Sequence, residues 1–348
     1  MMLRELTEFH QPDKILHRDQ QIKEIQRVFK NFKEFGMASN LLIQGFSGAG
    51  KTVSINHILE KENNDFIFVS GAENKTSYKL LKSMFDVNCN TLERTLTEGI
   101  KKLKVNPKVI VIDEINKLKN GFEIKDLFDN LNTIHKGTGC PIILITNTRG
   151  IIGLMARDAQ LTLMFEKVEF KPYAADQLQD ILNDRISLLK NKDFKIKIPE
   201  NFLEGVCSVV LTEMDSSVRM AMKILQKCIL NNDFSQKALK KALESVEVED
   251  WREFFSILSE IQKRSLLLIS KFAPWPNKIA SQEIFKHFNR YTPRRVLQII
   301  DIFEEFGIIK SDYENKGRAG GNKRFISFTN KNLFDRVNDY IEDDGIEL

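Results

Sequence analysis

The chain has 348 residues, of which 42% are hydrophobic and 29% charged, with a net charge of +4; this is the balance of a globular protein of two or three domains. Its apolar runs fall short of the ~18 residues of a membrane span, and acids stand among the first eight residues where a signal peptide would have its apolar core. The four cysteines are scattered without a Cys-x-x-Cys pair, which predicts reduced thiols in a cytoplasmic protein and argues against a disulfide frame or a zinc site.

The first element in chain order is a helix that Asp19 is expected to cap. Apolar residues recur at helical spacing from Ile22 to Phe32, and Gly36 is expected to end the helix. Residues 1–18 before it show no regular pattern and are expected to be irregular.

The stretch from Leu41 to Thr52 combines a strand, a glycine-rich loop and the start of a helix. A short apolar run ends at Gly45, the sequence Gly50-Lys51-Thr52 follows, and a helical pattern begins directly after it. Glycines let backbone N–H groups turn inward around an anion, and the helix N-terminus adds the positive end of its dipole. This order of elements is what a phosphate-binding P-loop requires.

The P-loop predicts a site for ATP or ADP together with Mg²⁺. Lys51 is expected to reach the β- and γ-phosphates, and Thr52 is expected to offer its hydroxyl to the metal. The expected nucleotide-binding residues of this loop are Gly45, Ser47, Gly48, Ala49, Gly50, Lys51, Thr52 and Val53.

Strand and helix patterns alternate after the P-loop. Phe66–Ser70 is typical of a second buried strand, and helical patterns follow around Tyr78–Phe85 and Leu92–Leu103. This alternation predicts a parallel α/β sheet with right-handed crossovers.

Polar side chains follow the next two strands. Four β-branched residues lead directly into Asp113 and Glu114, at the strand end where open α/β sheets bind ligands. Asp113 is expected to hold Mg²⁺ through water, and Glu114 to polarise an attacking water. The strand Pro141–Thr146 ends in Asn147, whose amide can orient that water; the alternative is that Asn147 only begins a turn.

These motifs resemble Walker A, Walker B and sensor 1 of the AAA+ ATPases. More closely, the chain resembles the archaeal origin-recognition and cell-division-control replication initiators, relatives of origin recognition complex subunit one and cell division control protein six. The closer resemblance rests on residues 16–19, on residues 168–173 and on the glycine-rich basic turn at 317–324, and it covers about residues 8–328.

The resemblance implies a parallel α/β AAA+ ATPase with an all-α lid and a C-terminal winged helix. The expected divisions are an ATPase base domain in residues 1–172, a helical lid in 173–250, a winged-helix DNA-binding domain in 251–330 and an acidic tail in 331–348.

The chain departs from the family pattern at three places. The Walker B segment ends in Asn116 where the family usually has aspartate. The family's arginine finger sits in an Asp-Pro-Arg setting, whereas the matching stretch here is Met155–Asp158, so Arg157 is a candidate only. The segment between the second strand and Walker B is short, so the contact made by the DNA-binding insertion that the family often has there is not expected.

Three lid residues match family positions around the nucleotide. Tyr173 and Arg185 match positions that line it, with the ring near the base. Arg219 lies in a run that resembles sensor 2, from which it can swing onto the γ-phosphate. The alternatives are a core tyrosine and surface arginines.

The segment 259–330 is basic, with 13 lysines and arginines against 7 acids, whereas residues 331–348 have 2 against 6. A basic segment beside an acidic tail indicates a nucleic-acid surface, although a solvated charged face is the alternative. After a charged connector at residues 246–258, three helices and a strand pair around a glycine turn predict a winged helix. The third helix is expected to have Thr292 as its N-cap and Pro293 as its first residue.

Two elements of this domain are expected to bind duplex DNA. The start of the third helix carries Arg294, Arg295 and Gln298, which can read bases in the major groove. The basic turn, taken here as residues 316–324, carries Lys316, Arg318, Lys323 and Arg324, which can follow phosphates or enter the minor groove.

The resemblance implies a slow ATPase that uses ATP as a conformational switch, binds a replication origin and helps to recruit the replicative helicase. Self-association on DNA and a cytoplasmic, nucleoid-associated location without membrane contact are also expected. Two other classes remain open: a P-loop ATPase signalling switch that binds no DNA, and a helicase- or clamp-loader-type ATPase that acts through protein partners.

Overall fold

The computed structural model describes residues 3–7, 10–62, 65–119, 121–148, 151–190, 197–213, 217–258, 260–287, 292–305, 308–315, 322–329 and 331–344. The chain divides into two compact units, Met1–Ala242 and Leu243–Leu348. Within the described residues, each helix is too short or too polar to cross a membrane.

A five-stranded sheet forms the centre of the first unit. Its strands are β1 (Leu41–Gly45), β2 (Phe66–Ser70), β3 (Val109–Asp113), β4 (Ile142–Thr146) and β5 (Glu166–Phe170). They lie in the order β2-β3-β4-β1-β5, and every neighbouring pair is parallel. The parallel α/β sheet that the alternating pattern predicts is therefore confirmed.

The two faces of the sheet are covered by different helices. The helices of this unit are α1 (Asp19–Phe35), α2 (Lys51–Leu59), α3 (Ser77–Phe85), α4 (Leu92–Val105), α5 (Gly121–Thr138), α6 (Arg157–Leu163), α7 (Ala175–Lys190), α8 (Glu200–Glu213) and α9 (Val218–Asn231). Ile110 and Ile112 pack with α3, α4 and α5, whereas Val109 and Val111 pack with α1 and α2. Because β3 is buried on both faces, its carboxyl end holds the side chains that follow it in fixed positions.

The ends of α1 differ in part from expectation. Arg18, not Asp19, precedes the first turn, and its side chain makes no capping hydrogen bond. Asp19 lies inside the first turn, where the positive end of the helix dipole stabilises its carboxylate. Gly36 ends the helix as expected, because it adopts a left-handed conformation with φ of 65°.

The second unit contains a three-stranded antiparallel sheet with helices packed on it. The helices are α11 (Glu260–Phe272), α12 (Ser281–Phe285), α13 (Pro293–Glu305) and α14 (Lys331–Asp344), and the strands are β6 (Ile279–Ala280), β7 (Ile309–Asn315) and β8 (Asn322–Phe328). The strand order is β6-β8-β7. Three helices followed by a hairpin are the winged-helix arrangement that the sequence predicts.

The segments expected to be a charged connector and an acidic tail are largely helical. The charged connector at 246–258 lies largely within α10 (Gln236–Ile257), which runs across the division between the two units. The acidic tail lies largely in α14, whose residues Leu333, Phe334 and Val337 pack on the core of the second unit. Apolar residues at helical spacing fold this segment despite its acidic charge. The expected boundaries at 172/173 and 250/251 stay predictions.

Candidate nucleotide site and DNA surface

The loop between β1 and α2 turns at two glycines. Gly48 and Gly50 have φ of 76° and 87°, a left-handed conformation that favours glycine. A Cβ on Gly50 would lie 2.7 Å from the Tyr173 hydroxyl, and a Cβ on Gly48 would lie 2.3 Å from Ser217 Oγ. The glycines therefore allow the loop to contact residues just before α7 and α9 directly.

Lys51 and Thr52 begin α2 with their polar groups turned into the site. The Lys51 side chain is buried, and its ammonium donates to the carbonyl oxygens of Gly45 at 2.8 Å and Phe46 at 2.7 Å. Burial lowers the pKa of Lys51 to about 8, although Asp113 acts in the opposite direction. Thr52 donates its hydroxyl proton to Asp113 Oδ2 at 2.8 Å.

Asp113 and Thr52 together suit a magnesium ion. Asp113 is only 4% exposed, and burial raises its pKa while the hydrogen bond from Thr52 lowers it. Mg²⁺ prefers oxygen ligands and keeps several of its waters, so it needs few groups from the protein. A hydroxyl and a carboxylate in contact, beside the lysine of a P-loop, fit that requirement.

Glu114 follows Asp113 in a strained backbone conformation. Its φ of 51° and ψ of 44° are left-handed, and its N–H donates to Asp113 Oδ1 at 2.7 Å. The Ser70 hydroxyl, at the end of β2, donates to Glu114 Oε2 at 3.4 Å. The turn therefore aims the carboxylate across the sheet edge, and Ser70 is a contact that sequence reasoning missed.

Asn147 lies directly after β4 and is held by Asn116. The N–H of Asn147 and the hydroxyl of Thr146 both donate to Asn116 Oδ1, at 3.3 and 3.4 Å. The asparagine that departs from the usual Walker B pattern thus supplies an acceptor that positions the end of β4. Nothing in the local sequence indicates this role, because the contact spans 30 residues.

One cavity of about 700 Å³ gathers most of the expected nucleotide-binding and catalytic residues. Its volume lies in the range typical of small-molecule sites. The expected residues that line it are Ser47, Gly48, Gly50, Lys51, Thr52, Val53, Asp113, Glu114, Asn147, Tyr173, Arg185 and Arg219. Gly45, the last residue of β1, and Ala49, in the loop that follows it, do not line the cavity.

Arg185 is a buried cation at this cavity. Its side chain is 7% exposed, and its Nε and Nη1 have no hydrogen-bond partner among the described residues. Burial lowers its pKa, and the neighbouring Asp184 acts in the opposite direction. Because unpaired buried donors are costly, a ligand that brings oxygen acceptors is favoured at this position.

The N-terminal segment forms one wall of the cavity, which sequence reasoning did not foresee. Leu6, His10 and Ile15 are among the lining residues, and Gln11 Nε2 donates to the Val53 carbonyl at 2.9 Å. The sequence feature that could have indicated this packing is the presence of three apolar residues, Leu3, Leu6 and Ile15, in a segment without regular spacing. All three are buried in the structure.

Arg157 lies elsewhere. It is the first residue of α6, its side chain is exposed, and it is not among the residues that line the cavity. The geometry of this single chain therefore gives Arg157 no contact with a nucleotide in its own cavity.

The start of α13 presents Arg294 and Arg295 to solvent, with Gln298 half-buried one turn later. The Arg295 N–H donates to Thr292 Oγ1 at 3.3 Å, which confirms Thr292 as the cap. Val296 and Ile300, on the opposite side of the helix, are fully buried. The polar face that the sequence predicts is thus the exposed one.

The basic turn is described in part. Lys316 and Arg318 lie outside the described residues. Lys323 and Arg324 lie in β8, paired with Glu314 and Tyr313 of β7, and not in the turn as expected. The Lys323 ammonium lies 5.1 Å from the ring centre of Phe325. Arg324 differs from expectation: its side chain is 12% exposed, and its donors bind Ser311 Oγ at 2.8 Å, Asp301 Oδ1 at 2.6 Å and Glu304 Oε2 at 2.6 Å. Asp301 and Glu304 lie one turn apart on α13 and bind the Arg324 guanidinium against the domain. The phosphate contact expected of Arg324 would therefore require these hydrogen bonds to break.

Comparison with known proteins finds a family model and relatives that are similar to this chain. Residues 36–154 match the family model described as AAA domain, a segment that contains the P-loop, Glu114 and Asn147. An ORC1-type DNA replication protein of Sulfurisphaera tokodaii is 24% identical over 346 residues, covering 90% of this chain and 86% of that protein.

Two solved structures share the fold. The Orc1 protein of Aeropyrum pernix in complex with DNA has a TM-score of 0.76 and 20% identity, covering 99% of this chain and 96% of that one. The ORC2 protein of the same organism, with ADPNP and ADP, has a TM-score of 0.59 and 14% identity, with 97% of each chain covered. The expected AAA+ fold is therefore confirmed.

Proposed function

We propose that this AAA+ chain, which is similar along most of its length to archaeal ORC1-type replication proteins, is an ATP-dependent initiator that binds origin DNA. The observation that carries the proposal is the convergence of Lys51, Thr52, Asp113, Glu114 and Asn147 in one cavity. The exposed arginines at the start of α13 supply the DNA surface.

In this proposal each polar residue of the cavity has one task in ATP hydrolysis. Lys51 binds the β- and γ-phosphates, while Thr52 and Asp113 hold Mg²⁺, which neutralises phosphate charge when bound. Glu114 polarises the attacking water, Asn147 orients it, and Arg219 binds the γ-phosphate of the same chain. Turnover is slow, so that the bound nucleotide acts as a conformational switch.

Arg157 is proposed to act on the nucleotide of a neighbouring copy. Its exposure and its position outside the cavity are compatible with such a role and not with a role in its own site. This assignment implies self-association on DNA. The proposal also includes recruitment of a replicative helicase and a cytoplasmic location on the nucleoid.

The affinity for ATP is expected to depend on pH with a break near 8. The ammonium of Lys51 is the form that attracts phosphate, and burial lowers its pKa in the free protein to about 8. Affinity is therefore retained below pH 8 and falls by up to tenfold per unit above it, because binding must then restore the proton. Calorimetric titration with ATP and Mg²⁺ between pH 7 and 9.5 measures this profile. A flat profile across that interval would contradict the assignment of Lys51.

Mutations in the two DNA-binding elements are expected to affect DNA binding in different ways, one changing sequence preference and the other changing overall affinity. Arg295→Ala should reduce the difference in binding free energy between the preferred DNA sequence and other sequences by roughly 1–3 kcal/mol, because an arginine can bind guanine through two hydrogen bonds. Lys323→Ala should weaken binding to all sequences alike and reduce the salt slope by about one unit, the result also expected of Arg318→Ala. A salt titration on a selected site and on random duplex measures both effects.

Lys61→Ala, in the first unit, is the control for loss of one positive charge. If neither Arg295→Ala nor Lys323→Ala changes affinity on either DNA, the winged helix is not the DNA surface. The signalling-switch alternative would then be favoured. Helicase recruitment without any sequence preference would instead favour a loader that acts through protein partners.

A further inference from the structure

Arg18 is a buried arginine that joins three parts of the first unit. Its Nε donates to the Ala49 carbonyl of the P-loop at 3.1 Å, and its Nη2 donates to the Lys171 carbonyl, just beyond β5, at 2.7 Å. The centre of its guanidinium lies 3.7 Å from the ring centre of Tyr173. One rigid planar group therefore links the phosphate loop to the stretch that leads into α7.

The same stretch contacts the P-loop from a second direction. The Tyr173 hydroxyl lies close enough to Gly50 to exclude a side chain there. Tyr173 is 4% exposed, so its ring is fixed between the loop and the guanidinium. Residues 49–50 of the loop are therefore connected to residues 171–173 by two sets of contacts. One is made by the Arg18 guanidinium and the other by the Tyr173 hydroxyl, so a displacement of the loop acts on residues 171–173 through both.

The burial of Arg18 is costly unless its contacts are kept. Its side chain is 4% exposed, and burial lowers its pKa, while the contact with Tyr173 acts in the opposite direction. Its hydrogen-bond partners are neutral groups, namely carbonyl oxygens and the Tyr173 side chain, and it does not line the cavity. An apolar side chain could fill this space without the cost of burying a charge, but it could not hold two carbonyls at a fixed separation.

We propose that Arg18 is a positioning residue that transmits the nucleotide state of the P-loop to the base–lid junction at residues 171–173. The proposal rests on ATP binding as proposed above. When phosphates draw in the loop, the Ala49 carbonyl moves with it, and Arg18 carries that movement to the Lys171 carbonyl and to the ring of Tyr173.

The test uses the full chain with Mg²⁺ and either ATPγS or ADP. Hydrogen–deuterium exchange is followed at residues 171–190, and both dissociation constants are measured by calorimetry, below the unfolding temperature of every variant. Arg18→Gln removes the charge and the second donor, while Arg18→Lys keeps the charge without the planar fork. Arg27→Gln is the matched control, because Arg27 is an exposed arginine of α1, the helix that Arg18 precedes, and it pairs with Glu166 of β5 at 2.5 Å.

The wild type and Arg27→Gln are expected to show stronger protection at 171–190 with ATPγS than with ADP. Arg18→Gln should still bind ATPγS, within about tenfold of the wild type, but should lose that difference, and Arg18→Lys should keep only part of it. Tyr173→Leu removes the stacked ring and should lose the difference as well, so it replaces Arg18→Gln if that variant does not fold.

Two results would overturn the proposal. One is a full difference in protection in Arg18→Gln, with only a lower unfolding temperature. The other is equal protection by the two nucleotides in the wild type. Failure of the wild type to bind ATPγS at all is a separate outcome, which contradicts the proposed function itself.

Discussion

Replacement of Glu114 by glutamine is expected to leave ATP binding intact and to lower hydrolysis by about 100-fold or more. The amide keeps the size of the side chain but cannot accept a proton from the attacking water, and general-base catalysis contributes roughly 10²–10⁴ in rate. The fold should not change, because the strained turn at this residue is a property of the backbone, anchored by the Asp113 side chain. Single-turnover hydrolysis and calorimetric ATP binding measure the two effects separately.

The control for the glutamate is Glu169→Gln, an exposed carboxylate on β5 of the same sheet. It should hydrolyse ATP at the wild-type rate. Equal hydrolysis by the wild type and Glu114→Gln would remove Glu114 from the mechanism.

Lys51→Ala is expected to lose ATP binding by about 100-fold or more without unfolding the protein. The ammonium is the buried positive charge at the base of the P-loop, and alanine offers the phosphates no substitute. Since its pKa in the folded chain is about 8, below that of an ordinary lysine, the charged form destabilises the ligand-free fold at pH 7. Removal of that charge should therefore not lower the unfolding temperature of the free protein.

Thermal unfolding with and without ATP and Mg²⁺ checks both parts of this expectation. The wild type should gain stability with nucleotide, Lys51→Ala should not, and Lys61→Ala, just beyond the end of α2, should behave as the wild type. A nucleotide-dependent gain in Lys51→Ala equal to that of the wild type would contradict the P-loop assignment.

The parts of the fold that were predictable from sequence are those with a local signal. β1 and β3 are apolar runs that end abruptly, one in Gly45 and the other in Asp113, so both the strands and the side chains after them could be placed. β5 was missed because it lies at an edge of the sheet, where Val168 and Phe170 are buried but charged residues alternate with them. α14 was taken for a tail because its acids outnumber the apolar residues that fold it.

The parts of the site that sequence reasoning missed depend on contacts between distant residues. In the sequence, Asn116 is only a departure from the Walker B motif. The fold shows that its side-chain oxygen accepts two hydrogen bonds from the end of β4. Arg324 is equally ambiguous in a basic turn, because its acidic partners Asp301 and Glu304 lie more than 19 residues earlier in the chain. Charge patterns indicate that a segment is basic, but not which of its cations face solvent.

Sequence-specific binding of duplex DNA through α13 can be tested by selection from a random duplex library. The full chain with ATP and Mg²⁺ is compared with the double variant Arg294→Ala/Arg295→Ala at the same salt concentration. The wild type is predicted to enrich one shared sequence, and the double variant is predicted to retain duplex without that enrichment. Recovery of only random sequence by the wild type, or enrichment of the same sequence by the double variant, would contradict the claim.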